Sequence, residues 1–220
     1  MIYQVRNRLK GGDWSRTSSW DNSPINKTAL AASSMAVVPT STTFTTVGFK
    51  GGYAVFYQDP NDKLAVDITD LNSPKVPDTF HLPWPTTLPD ITLPKLAPLA
   101  AFSVARKGDT LQRVDTYLLY LDVDANINML YTDSSSSNSD STGAVWRTVA
   151  PTALQGADQD THITCLTMAT TNNNAAMQDV PLEEASADNR CYFQKGGLVV
   201  EVRLDHGKQD WVVTGTVPIP

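Results

Sequence analysis

Asn189-Arg190-Cys191-Tyr192-Phe193-Gln194-Lys195-Gly196-Gly197-Leu198-Val199-Val200-Glu201-Val202-Arg203-Leu204-Asp205 reads as a strand, a tight turn and a second strand. The first strand carries the short aromatic run Cys191-Tyr192-Phe193, the second the branched run from Leu198 to Leu204, and Lys195-Gly196-Gly197 is the turn between them. The same reading fits two places upstream. Tyr53 to Tyr57 leads through Asp59-Pro60-Asn61-Asp62 into Lys63 to Ile68, and Tyr117 to Leu121 leads through Asp122 to Asn126 into Ile127 to Tyr131. These aromatic and β-branched runs suit a pleated, half-buried surface. No window sustains the i, i+3, i+4, i+7 spacing of a helix.

Working outward, each hairpin is preceded by a similar apolar run: Ala29 to Ala36, Leu99 to Ala105 and His162 to Ala169. Downstream comes a Trp-bearing strand, clearest at Val145 to Val149 and Trp211 to Thr214. Four strands recurring about every sixty residues mark the antiparallel blades of a β-propeller, so the fold class expected is all-β. Ile2 to Trp14 aligns without a gap on Val199 to Trp211, so the chain is expected to open at the third strand of a blade. The boundaries that follow are a half blade over 1–20, a blade with a Pro-rich insert over 28–97, and blades over 98–152 and 161–217. About three and a half blades leave a ring open. A second chain or an upstream segment is therefore expected to complete it, since blades bury one another's faces.

Composition narrows the partners. With a net charge of −6, a pI near 4.9 and scattered Lys and Arg, the chain offers no basic face for nucleic acid or an anionic membrane. No apolar run approaches the ~18 residues that cross a bilayer. Two cysteines are too few for a disulfide scaffold or a Cys-rich zinc site, and no His cluster, nucleophile triad or phosphate loop is present; neither metal nor cofactor is expected. Cys165 and Cys191 fall on the predicted first and second strands of one blade, where a cross-strand disulfide and two buried thiols are both open readings. Asn26-Lys27-Thr28 is an N-glycosylation acceptor, a triplet that chance also produces. Met1 to Trp14 lacks the apolar stretch of a signal peptide, yet localisation leans to the secretory pathway or the cell exterior.

The best chemical constellation is Arg190, Glu201 and Trp211. Arg190 and Glu201 lie on adjacent strands, close enough to share a face. Arg donates to sugar oxygens, Glu accepts from hydroxyls, and an aromatic packs on the C–H side of a pyranose. The plainer reading is a cross-strand ion pair on a solvated sheet, worth little.

The strand–turn–strand–Trp pattern from Arg190 to Trp211 resembles the blades of the fungal fucose-specific lectins of the Aleuria type, which are six-bladed propellers. That resemblance implies that Arg190, Glu201 and Trp211 form a fucose site. It also identifies departures: Ala54 and Val66 stand at the Arg and Glu positions of one blade, Thr116 or Tyr117 and Met129 at those of the next, and Gln4 replaces Glu201 in the opening segment. Avidity in a multivalent lectin comes from several weak sites acting together, and that source is gone. A scaffold with decayed sugar sites is open to other uses. The hetero-Diels–Alderases of fungal tropolone-sesquiterpenoid pathways look like relatives of this lectin fold. On that resemblance the chain is expected to be a cofactor-free pericyclase for a terpenoid and a quinone methide, needing an apolar pocket and a polarising donor. Candidate pocket residues are Phe102, His162, Met35 and Met168 on innermost strands, with His81 and Trp84 in the insert. Binding of a fucosylated glycan and service as a protein-binding platform are the alternatives.

Overall fold

The computed structural model describes residues 2–5, 8–14, 20–23, 27–40, 52–70, 87–106, 114–133, 145–166, 189–205 and 210–219. Among these residues the protein is all-β apart from a single 3₁₀ turn at Thr152–Leu154. Fourteen strands form four antiparallel sheets. The first sheet holds β1 (Ile2–Val5), β2 (Arg8–Trp14) and β3 (Trp20–Ser23); the second holds β4 (Met35–Pro39), β5 (Gly52–Gln58) and β6 (Leu64–Asp70). The third contains β7 (Leu99–Ala105), β8 (Val114–Leu121), β9 (Ile127–Asp133) and β10 (Val145–Val149). The fourth contains β11 (Thr164–Leu166), β12 (Arg190–Lys195), β13 (Leu198–Asp205) and β14 (Asp210–Pro218). Strand order within each sheet follows chain order, the up-and-down meander of a propeller blade.

Two expectations about strand register are corrected. Trp14 pairs with Trp20, as Leu204 pairs with Trp211, so β1–β3 correspond to β12–β14. The first sheet thus has three strands over 2–23, where the sequence suggested a half blade over 1–20. A period-two pattern alone does not reveal such a slip, because a short hairpin preserves the alternation. Likewise, Ala29 to Ala36 is mostly a turn and not a strand. Ser33 N–H donates to Leu30 O at 3.1 Å, Ala32 sits at φ 61°, and the strand proper starts at Met35.

That turn is a repeated device. Ala97 donates to Pro94 O and Thr161 to Asp158 O in the same manner, so the closing residues 33, 97 and 161 recur every 64 positions. Each turn is followed by the first strand of its blade. The hairpin loops repeat as well: Asp59 Oδ1 accepts from the N–H groups of Asn61 and Lys63, and Asp122 Oδ1 from those of Asp124 and Asn126. Asp62 and Ala125 occupy the same left-handed position in these loops. Their carbonyls accept from Leu93 and Ala157, respectively, in the segment entering the following blade.

The blades stack face to face. On β8, Tyr117, Leu119 and Leu121 join the core shared with the fourth sheet, whereas Leu118 and Tyr120 join the core shared with the second. Burial on both faces explains why this strand is an almost unbroken apolar run. The fourth sheet is different. Cys191, Phe193, Val200, Val202, Leu204 and Trp211 point into the shared core, while Arg190, Tyr192, Gln194, Glu201 and Arg203 alternate onto the other face, which no described residue covers.

Several segments singled out in the sequence lie outside the described residues: most of the Pro-rich insert with His81 and Trp84, the Ser-rich run at 134–140, Asn26 and Met168.

Candidate functional site

The face-alternation of β12 and β13 places Arg190, Tyr192 and Glu201 side by side. Tyr192 is directly opposite Glu201 across the ladder, and Arg190 lies one pleat away on the same face. Arg190 Nη1 donates to Glu201 Oε1 as a charge-assisted pair, and Thr214 Oγ1 donates to the same oxygen at 2.6 Å. The Tyr192 hydroxyl is a further hydrogen-bond partner of the carboxylate. Glu201 is therefore held below the usual carboxylate range, first by Thr214, then by Tyr192, with Arg190 adding to both. The Tyr192 phenol is raised in turn, mainly by its hydrogen bond to Glu201.

Solvent reaches this cluster. The Arg190 side chain is 37% exposed and that of Glu201 27%, so an incoming hydroxyl-bearing ligand meets both without rearranging the core. Each group has hydrogen-bonding capacity beyond this pair, since a guanidinium carries five donors and a carboxylate two acceptor oxygens. A preassembled donor and acceptor a few ångströms apart match the vicinal hydroxyls of a pyranose. Apolar residues flank the cluster on the same face. Leu166 stands opposite Arg190, Val212 opposite Arg203 and Val217 opposite Val199, and all three are exposed.

Trp211 does not belong to the site. It is 3% exposed on the opposite face of its blade, edge-on to Phe102 at 6.2 Å, and its indole Nε1 donates to Met129 Sδ at 3.2 Å. Its partner Leu204 is a core position, so the strand register itself turns the indole inward. Trp146 does the same one blade earlier, meeting Phe56 edge-on at 5.9 Å. The fourth-strand Trp is a spacer between blades.

The three pocket candidates among the described residues lie apart from one another. Phe102 is buried and stacked on Tyr117 at 5.0 Å, while His162 is exposed just ahead of β11 and Met35 packs beside Ala29, Val55 and Tyr57. Cys165 and Cys191 are directly opposed across β11 and β12, with Cα atoms 4.1 Å apart, and are joined in a disulfide. That bond fastens the three-residue β11 to the strand that carries Arg190. Among the described residues no group of His, Cys, Asp and Glu is arranged to hold a metal, and no helix is long and apolar enough to cross a membrane.

The sequence puts Tyr192 in the same run as Arg190 but points to Trp211 as the aromatic of the site, and it gives no sign of Thr214. Tyr192 was legible, since it is the in-phase neighbour of Arg190. Thr214 was not, because its contact depends on a β-bulge that shifts the register between Glu201 and Val202.

The positions that match Arg190, Tyr192 and Glu201 in the preceding blades carry other residues. Gln58 O and Gln194 O accept from the first residue of their own blade's turn, which equates Arg190 with Ala54, Tyr192 with Phe56 and Glu201 with Val66. In the third sheet the Asp-headed loop equates them with Tyr117, Leu119 and Met129. Ala54, Phe56, Tyr117, Leu119 and Met129 are all buried against the following blade.

Solved structures share this architecture. The SapL1 lectin, determined with alpha methyl fucoside, superposes with a TM-score of 0.59 and 18% identity over 97% of this chain and 57% of its own. AofleA from Arthrobotrys oligospora gives a TM-score of 0.57 and 13% identity over 97% of this chain and 52% of its own. At such identities the likeness is one of fold. This chain spans a little over half the length of the lectins it matches. No protein-family model and no curated protein sequence matches it.

Proposed function

We propose, for a chain with the fold of the fungal fucose lectins, that the last blade carries one binding site for a fucose-type monosaccharide. Arg190 donates to ring and hydroxyl oxygens, Glu201 accepts from hydroxyls, and Tyr192 and Thr214 hold the carboxylate in place. One observation carries the reading: Arg190 and Glu201 stand together, partly exposed, at positions that are apolar in both preceding complete hairpins. A polar outer face on a terminal repeat also serves solubility, so the cluster's chemistry must be tested directly. The reading includes a further blade, from additional polypeptide or a second chain, opposite this face. Support comes from the partial span over the matched lectins and from the exposed Leu166, Val212 and Val217.

No observation favours the pericyclic reading, since Phe102 is core in the third sheet and His162 is exposed just ahead of the fourth. Titration with methyl α-L-fucoside in a calorimeter decides between the two. Saturable heat that disappears in Arg190→Ala, with the melting temperature of that variant unchanged, is the expected result. A flat titration from folded protein would make the Arg–Glu pair scaffold and retire the lectin reading. With one such site among the described blades, the monomeric chain should bind without cross-linking glycan-bearing particles.

A further inference from the structure

Between Glu201 and Val202 the pairing partner on β14 jumps from Gly215 to Val213, which leaves Thr214 as the extra residue of a β-bulge. Bulges re-aim side chains, and they recur next to functional sites. Here the extra residue delivers its hydroxyl to Glu201 twice, to Oε1 at 2.6 Å and to the main-chain O at 3.3 Å. The residue left directly opposite Glu201 is then Gly215, and a Cβ built there meets no heavy atom within 4 Å. Glu201 consequently has Tyr192 on one flank and open space on the other. Gly within a strand weakens the sheet and marks a place where something else approaches closely.

We infer that the Thr214–Gly215 bulge is the positioning and size-selecting element of the site proposed above: Thr214 fixes the Glu201 carboxylate, and the missing side chain of Gly215 leaves the notch in which a ligand hydroxyl reaches it. This inference rests on the sugar-binding reading for the identity of the ligand, but the positioning half stands on the ligand-free protein. The charged and titratable groups facing Glu201 are Arg190 and Tyr192 from β12 and Arg203 from its own strand. Residues 212–217 of β14 carry no charged or titratable side chain, and from that strand the Thr214 hydroxyl donates to the carboxylate.

Two variants test it. Gly215→Val places a strand-favouring side chain in the notch, where it has room, so folding is expected to be unharmed or improved. Affinity for methyl α-L-fucoside should fall by roughly tenfold or more, the loss expected when a site's hydrogen bond goes unmade. Thr214→Val keeps shape and removes the hydroxyl. Followed by carboxyl NMR in the ligand-free protein, the titration midpoint of Glu201 should move upward, since Thr214 is the largest cause of its depression. Wild-type affinity in Gly215→Val would overturn the size-selecting half, and an unmoved Glu201 midpoint in Thr214→Val would overturn the positioning half. If the parent protein binds no fucoside while the Glu201 midpoint still moves, the ligand assignment has failed and the positioning role has survived.

Discussion

At the residue scale, the aromatic and charged groups that look alike in sequence part company on opposite faces of one blade. Arg190 and Glu201 were legible because a hairpin of known turn length brings in-phase residues together. Trp211 was misread for the same reason in reverse. Its phase is set by its pairing with Leu204, and no feature of Asp210-Trp211-Val212 reveals which face that partner occupies. The two groups therefore respond differently to truncation. Trp211→Ala removes an indole packed against Phe102 and Met129, and should cost about 3–5 kcal/mol of stability. Chemical denaturation would read this as a lowered midpoint. A Trp211→Ala protein as stable as the parent would mean that the indole fills no shared core. Arg190→Ala is a surface truncation and should change the unfolding free energy by no more than ~0.5 kcal/mol.

At the element scale, the contrast between β8 and β12 shows what sequence patterning reports. Tyr117 to Leu121 is apolar on both phases because blades cover both sides, whereas Arg190 to Lys195 alternates, with its polar phase on the face that no described residue covers. Position within the stack was thus readable before the stack was seen. The start of β4 was not readable, since Ala29 to Ala36 has the apolar content of a strand but spends it on a turn with Ala32 in the left-handed region. What ties consecutive blades together was equally hidden. Gln58 is wholly buried, donates Nε2 to Pro94 O at 2.9 Å and Asp62 Oδ1 at 3.1 Å, and accepts at Oε1 from Leu96 N–H at 3.0 Å. A glutamine ending an aromatic strand gives no hint that its amide clasps the next repeat. Gln58→Leu keeps the volume and strands those backbone partners. A loss of about 2–3 kcal/mol is expected from leaving them unsatisfied. Hydrogen exchange should locate the loosening at the 93–97 turn, with the 158–161 turn unaffected. Uniform loss across both turns would mean that Gln58 acts on global stability and is no local clasp.

At the scale of the whole molecule, the repeat of 64 residues makes each blade's forward face the seat of the next, and the fourth sheet breaks the series. Ala54, Phe56, Tyr117 and Leu119 are sealed by a following blade, while their counterparts Arg190 and Tyr192 are not. Charge at the centre of this face keeps it hydrated, but Leu166, Val212 and Val217 around it are 58%, 45% and 62% exposed. Apolar area of that kind, on a sheet whose sister faces are packed, favours association. The isolated chain is therefore expected to self-associate reversibly as its concentration rises, with sedimentation velocity showing species heavier than 23.9 kDa. Val217→Lys places a charge at the edge of that face, away from Glu201, and should return the protein to the monomer without lowering its melting temperature. A parent chain that stays monomeric at all concentrations would mean that the charged centre suffices to cap the stack. Association that persists in Val217→Lys would move the contact to another surface, since the lysine would sit where the two partners must meet.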